Sequence, residues 1–486
     1  MAPLAYLVAF AGTRGTAVAL EVVTTPPTRW FLWTSLVLTG GVTAAVVPVG
    51  VGLAILVART DLPGRRFWLV AGTLPMALPS FVAASSYRAL FPGLDGLPGA
   101  GVALGAVLLP FVFLPTAVAL RHLDPALADV ARSLGDGPLR AFRRAVLPAV
   151  RPAVAGGALL VALGVLGDFG AATTMRAHTF TSLIYSSYLA GADLARGAVQ
   201  SVLLLGCTAV ILALEARGRG RGARHRLGPG AARPLVPVAL GRLRWPAVVV
   251  AVLAVGAAGG LPAAGLVRGL VAAVEAESPV GASVVADAAR ASAAAAGWAA
   301  AAALAAALPV ALSAARHRER VGRVAETATY VASALPPLVV GLAVAFLAVR
   351  TVPGLYRRLP VLVFAYVVLF LPLAVVALGA RAAQLPLALT DVARSLGRSP
   401  GVVAATVTAP LLAPAVASSF ALVFLAAFKE LPVALLIGPF GFETLAILAW
   451  EPPAGPPGAP ATAATVLVLG GVLATGLLLR MATRRV

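Results

Sequence analysis

Few residues in this chain could do chemistry, and their surroundings narrow what that chemistry is. Asp168 follows Gly167 late in an apolar run, and Lys429 and Glu430 stand side by side inside another. Placing a charge within a membrane-length apolar segment costs about 2.5–3.5 kcal/mol on insertion scales, so each needs a reason. Asp168 and Glu430 lie 262 residues apart and occupy equivalent positions of a long internal repeat. Two roles suit them. They can line a path and meet a cationic or polar solute, or they can hold helices together, for example by pairing Lys429 with Asp168 or Glu430. Lys429 and Glu430 are adjacent, so on a helix they point about 100° apart and cannot both face one narrow path.

Catalytic chemistry finds little support. The one cysteine, Cys207, sits in an apolar run and excludes an internal disulfide and a cysteine-based zinc site. The histidines, His122, His178, His225 and His317, are scattered, with no two at i, i+4, and read as loop residues, not metal ligands. A phosphate-binding Walker loop needs Gly-Lys-Ser/Thr. The only lysine is Lys429, between Phe428 and Glu430. No catalytic residue, no metal site and no bound cofactor is expected in this chain; any ATP and Mg would be held by a partner.

The second group of polar residues is a repeated loop. Asp129-Val130-Ala131-Arg132-Ser133-Leu134-Gly135 returns letter for letter as Asp391-Val392-Ala393-Arg394-Ser395-Leu396-Gly397. Asp and Arg at i, i+3 support a short solvated helix. Gly135 and Gly397 can end it, because glycine accepts the left-handed C-terminal conformation. Pro148 and Pro410 follow at equal distances and turn the chain back toward the apolar segments. A short surface helix presented twice makes two equivalent knobs for a soluble partner.

The elements that carry these residues are set by composition. Apolar residues make up 60% of the chain and charged residues 12%, about half the share of a soluble domain. Mean hydropathy is +0.96, so the surface must be hidden in lipid. Apolar segments near 33–58, 67–91, 98–120, 150–172 and 198–216 precede an Arg/Gly/Pro-rich stretch. Others near 246–267, 289–313, 326–349, 359–380, 414–437 and 462–480 follow it. All are read as helices, since an open sheet edge cannot survive in hydrocarbon. The net charge of +20 would suit nucleic acid, but its arginines alternate with the apolar runs, which is the positive-inside pattern and not a nucleic-acid arm. Arginines surround both repeated loops, fill the 217–245 linker and close the chain, which puts all of these in the cytoplasm. Loop 350–358, with Arg350, Arg357 and Arg358, is the exception.

The repeat spans most of the chain. Pro48 and Arg59 correspond to Pro309 and Arg320, Thr73-Leu74-Pro75 to Ala334-Leu335-Pro336, and Phe113-Leu114-Pro115 to Phe370-Leu371-Pro372. Six spans separate the two repeated loops, so both face one side and the repeats are parallel. The expected organisation is a first membrane repeat at 1–216, a cytoplasmic linker at 217–245 and a second repeat at 246–486, each of about six helices. Residues 2–12 resemble the stretch from Leu261 to Val267. They are expected to be the outer end of a first helix whose beginning is missing.

The loops also carry a resemblance. Their pattern is similar to Glu-Ala-Ala, three residues, Gly, nine residues, then Ile-x-Leu-Pro. That is the cytoplasmic motif of permease subunits of binding-protein-dependent ABC importers. Here it reads Asp129-Val130-Ala131, Gly135 and Ala145-Val146-Leu147-Pro148, and again Asp391-Val392-Ala393, Gly397 and Val407-Thr408-Ala409-Pro410. Spacing holds in both copies; Asp replaces Glu, Val replaces the first Ala, and Ala409 stands where the motif has Leu. The resemblance covers nearly the whole chain as two fused permeases. It implies an all-α type I importer fold in the bacterial inner membrane, with the loops as coupling helices. It also implies two copies of a separate ABC ATPase subunit, an extracytoplasmic solute-binding protein, and no nucleic acid. Gly167-Asp168-Phe169-Gly170, Thr181 to Tyr185, Phe428 to Pro432 and Gly438 to Ala446 resemble the ferric-iron branch; related branches carry thiamine, phosphonates or polyamines. The rival from another class is a gradient-driven secondary transporter, which would have no use for an ATPase-docking loop.

Overall fold

A computed structural model describes the chain except residues 1, 14–15, 124–125, 191–193, 219–236, 276–280, 317–334, 383–384, 386, 451–457 and 484–486. Among the described residues the regular elements are all helices, with one isolated parallel bridge between Thr60 and Val238. Nine helices among them are long and apolar enough to cross a membrane. A tenth crossing results if the pair 65–77 and 80–90, bent by 101°, is one broken span.

The helices fall into two compact units that do not follow the two sequence repeats. Residues 1–216 and 246–486 were the expected repeats; the packing units are 14–277, and 278–486 together with 1–13.

The first part of the chain supplies α1 (Ala2–Thr13), α2 (Thr16–Thr24), α3 (Pro26–Arg59), α4 (Arg65–Ala71), α5 (Ser80–Leu90) and α6 (Gly96–Arg121). Next come α7 (Ala126–Ser133), α8 (Pro138–Ala141), α9 (Leu147–Gly167), α10 (Gly170–Thr174), α11 (Phe180–Ala190) and α12 (Leu194–Gly218). After the linker, α13 (Arg244–Val255) and α14 (Leu261–Glu275) complete the unit that begins at residue 14. Its centre is α3, α6 and α9, packed through Val42, Val46, Ala103, Leu104, Val112 and Val161. The expected span 67–91 is broken because Leu78, ahead of Pro79, is held in the extended region, where it cannot continue a helix.

The other unit contains α15 (Ala282–Arg316), α16 (Pro337–Thr351), α17 (Leu359–Ala382), α18 (Leu387–Ser395), α19 (Pro400–Val403) and α20 (Ala409–Phe428). It ends with α21 (Pro432–Ile437), α22 (Leu445–Trp450) and α23 (Ala459–Thr483). Here α15, α17 and α20 form the centre. Ala300, Ala303, Ala307 and Ala311 are fully or almost fully buried along one face of α15. In lipid, where apolar burial does not drive helices together, such small side chains gain contact by letting backbones approach. Part of the expected span 326–349 lies outside the described residues; its described portion is α16.

The opening helices are exchanged. Helix α1, from the first repeat, packs on α16, with Leu7 fully buried and the rings of Phe10 and Phe346 5.4 Å apart. Its counterpart α14 packs on α5 of the first repeat, so closely that a Cβ on Gly265 would stand 2.3 Å from the Ser86 carbonyl oxygen. The likeness of residues 2–12 to the Leu261 region therefore marks two helices with equivalent packing roles.

Candidate functional site

Both repeated loops form the short helix expected of them, α7 and α18, and both end the same way. Gly135 has φ 89° and Gly397 φ 77°, in the left-handed region. The amide of Gly135 donates to Arg132 O (3.0 Å) and that of Asp136 to Ala131 O (3.1 Å). In the second loop Gly397 donates to Arg394 O (2.9 Å) and Arg398 to Ala393 O (3.2 Å). This paired 5→2 and 6→1 bonding satisfies carbonyls that a helix end leaves open, and it needs a glycine at the turn. Ser133 and Ser395 hydroxyls each donate 2.8 Å to the carbonyl three residues back, Val130 and Val392. Side chains of Asp129 and Asp391 lie outside the described residues; their backbones are in α7 and α18.

The loops are less polar than their letters suggest. Leu134 and Leu396 are 81% and 75% exposed, and Val130 and Val392 58% and 57%. Ala131 and Ala393 are half-buried. Each loop thus holds out an apolar pair at i, i+4 beside an exposed arginine, Arg132 or Arg394. The first loop also carries an ion pair, Arg144 to Asp136 at 3.2 Å, absent in kind from the second, where Thr406 and Arg398 occupy those places.

From each knob the chain runs through a π turn into a core helix. The turns cover Phe142–Val146 and Ala404–Thr408, and a third, Gly256–Gly260, precedes α14. Each of these turns among the described residues ends two residues before a proline: Pro148, Pro410 and Pro262. Proline has no N–H for the i−4 carbonyl, and its ring collides with that carbonyl. The carbonyl in question belongs to residue 144, 406 or 258, inside the widened turn, which moves it aside. Leu147 and Pro148 are half-buried as α9 begins; Pro410 is exposed at the start of α20.

The far ends of α9 and α20 bring in the membrane acids. The expected span 414–437 stops at Phe428, and Lys429 and Glu430 stand at the break, as Asp168 stands after Gly167. Asp168 Oδ1 accepts from the amides of Ala171 (2.9 Å) and Ala172 (3.2 Å). Glu430 accepts from Val433 (3.1 and 3.0 Å) and Ala434 (3.3 Å). Both acids therefore take the i+3 and i+4 amides of the short helix that follows, α10 or α21, whose N–H groups have no helical acceptor. Each also receives a hydroxyl from another helix: Ser80 donates to Asp168 Oδ2, and Tyr366 to Glu430. Asp168 and Glu430 belong to different units, and the side chain of Lys429 is half-buried.

Sequence reasoning missed the hydroxyls. Besides Ser80 and Tyr366, Ser35 Oγ accepts from Phe180 N (2.7 Å) and Ser292 Oγ from Leu445 N (2.8 Å). These serines, on α3 and α15, cap the first residues of α11 and α22 in the two units alike. The repeat gave no signal for them, since the register that pairs Pro48 with Pro309 sets Ser35 opposite Ala296, one helical turn from Ser292.

The geometry is that of a duplicated membrane protein with two matched surface knobs. The model of the family described as binding-protein-dependent transport system inner membrane component matches residues 50–216 and again 307–486. The chain belongs to this family. It is an inner-membrane permease of binding-protein-dependent transport, built as two copies of the family's fold in one polypeptide. The Fe(3+)-transport system permease protein FbpB 2 of Haemophilus influenzae is 29% identical over 454 residues, 92% of this chain and 89% of that protein. The sulfate transport system permease protein CysT of Salmonella typhimurium is 31% identical over 138 residues, 25% of this chain and 50% of its own. The spermidine/putrescine permease protein PotB of Haemophilus influenzae is 28% identical over 159 residues, 28% of this chain and 55% of its own.

Proposed function

We propose that the permease imports ferric iron, that an extracytoplasmic binding protein delivers it, and that two copies of a separate ABC ATPase subunit drive the cycle through α7 and α18. The observation carrying the coupling role is the matched pair of knobs: the same Schellman turn, the same exposed Val and Leu, the same π turn into a core helix. An amphipathic helix offering apolar anchors suits a hydrophobic groove on a partner. Asp129, Ala131, Gly135, Leu147 and Pro148 form the first ATPase-coupling segment, with the contact made by its α7 part and the transmission by Leu147 and Pro148, and Asp391, Ala393, Gly397 and Pro410 form the second.

When ATP closes the ATPase pair, displacement of α7 passes through α8 and the π turn into α9, and displacement of α18 passes through α19 into α20. Each of these core helices ends at an acid-capped break, at Asp168 or Glu430. In this mechanism the acids anchor the breaks and border the path, and a solute cation that approached them would compete with amide and hydroxyl donors. The cargo reading rests on the relative matched along nearly the whole chain; the sulfate and polyamine relatives match over shorter stretches.

Uptake into vesicles holding the permease, its ATPase and its binding protein tests the reading. Ferric iron should accumulate only with ATP, and sulfate or spermidine should not compete. Uptake of either of those in place of iron would overturn the cargo assignment. Uptake that persists without ATP and collapses with the proton gradient would overturn the importer mechanism.

A further inference from the structure

The 14–277 unit carries a basic cavity apart from α7 and from the acid-capped break at Asp168. The ends of α3 and α6, the first turn of α4 and the returning linker surround a cavity of about 340 Å³. Arg59, Arg65, Arg66 and Arg121 line it over an apolar floor of Val57 and Ala58, and Pro237 closes one side. Among the described residues no carboxylate lines it. The nearest acid in sequence, Asp61, turns its Oδ1 to the amide of Leu240 (2.8 Å).

The walls are held by backbone bonds. Val238 N donates to Arg59 O (2.8 Å) and Asp61 N to Val238 O (3.1 Å), which pins the linker to the end of α3. A guanidinium nitrogen of Arg65 donates to Thr60 O at 3.4 Å. Charge bias explains arginines on this side of the membrane. It does not explain four converging on one cavity from three helices. Arg59 and Arg121 end their helices, where a cation is favoured, but Arg65 and Arg66 open α4, where the helix dipole opposes them.

The sequence beside the cavity sets its depth. After Arg65-Arg66 come Phe67, 62% exposed, and Trp68, whose indole donates to Pro63 O (2.8 Å). Basic residues followed by exposed aromatics mark the interface between water and hydrocarbon. A cavity of this size would hold about ten waters at about 30 Å³ each, more room than one bare phosphate fills.

We propose that this cavity binds a phosphate-bearing anion, with the four guanidiniums as its ligands. Arginine matches phosphate oxygens with paired donors, and basic pockets at the cytoplasmic membrane surface recognise anionic headgroups. The phosphate comes from an inner-leaflet phospholipid or from a soluble phosphate, and the two sources are separable.

The test uses the full-length protein, delipidated in detergent and titrated separately with short-chain phosphatidylglycerol, short-chain phosphatidylcholine and inorganic phosphate, with bound species counted by native mass spectrometry. The double variant R65Q/R121Q should bind phosphatidylglycerol about thirtyfold more weakly than the parent, the loss set by two basic residues at an anionic surface. The variant R140Q/R143Q, which removes the same charge from exposed arginines near α8, should bind as the parent does, and R65K/R121K should recover part of the affinity. Preference for phosphatidylglycerol over phosphatidylcholine, undisturbed by inorganic phosphate, supports the lipid source. Saturation by inorganic phosphate with the same dependence on Arg65 and Arg121 supports the soluble source. Equal binding by R65Q/R121Q and the parent, or equal losses in R65Q/R121Q and R140Q/R143Q, overturns the site.

Discussion

Removing the Ser80 hydroxyl or the Tyr366 hydroxyl strips one donor from a carboxylate that stands at a broken span. Each of Ser80→Ala and Tyr366→Phe should lower stability by about 1–3 kcal/mol, the range for leaving a buried polar group short of its partner. Thermal unfolding in detergent reads this loss. Asp168→Asn should be milder than Asp168→Ala, because an amide oxygen still caps the Ala171 and Ala172 amides, whereas alanine leaves both uncapped. Equal stability of the Asn and Ala variants would mean that the cap does not hold the break. The presence of unusual charges was legible in the sequence, and so was their equivalence, because both acids follow from the repeat. Their partners were not. Ser80 and Tyr366 occupy unrelated positions of the two repeats, so each copy solved the same donor problem with a different hydroxyl, and no periodicity announces that.

At the scale of elements, the π turns join knob to core helix. Pro148→Ala restores an N–H and removes the ring that the widened turn accommodates. A regular helix would then shift the register by one residue and rotate α7 relative to α9 by about 100°. ATPase binding should survive in Pro148→Ala while ATP-driven uptake falls sharply, measured side by side in the same vesicles. Retained coupling would show that the turn merely tolerates the proline. The α14–α5 contact makes a second case. Gly265→Leu must push the helices apart, since even a Cβ would stand 2.3 Å from Ser86 O, and it should cost about 1–3 kcal/mol as an overpacked contact. Thermal unfolding beside Gly259→Leu, where the nearest atom to a Cβ is 3.6 Å away, checks it. Most spans were readable from apolar length. The breaks at Pro79 and at Lys429-Glu430 were not, because a broken segment remains apolar on both sides of its break.

For the whole molecule, the two packing units each take helices from both repeats: α1 joins the second repeat, and α13 with α14 joins the first. Cutting the chain within 219–236 should therefore give fragments that are unstable when expressed singly and recover when co-expressed, read by yield and size-exclusion profile. The two repeats were plain in the sequence because seven letters recur unchanged. The exchange was hidden because it depends on which partner an apolar helix chooses, and apolar faces carry little address. Coupling requires α7 and α18 each to seat in an ATPase subunit. The chain has one cysteine, half-buried Cys207 in α12, so Cys207→Ser gives a clean background for cross-linking. Adding Leu134→Cys or Leu396→Cys, with a cysteine scan around the groove of the ATPase, should give a cross-linked species of one permease and one ATPase subunit from either position. Both substitutions together should give one permease with two. Cross-linking from neither position, or yields no higher than from a cysteine placed at Phe440 in the loop between α21 and α22, would contradict it.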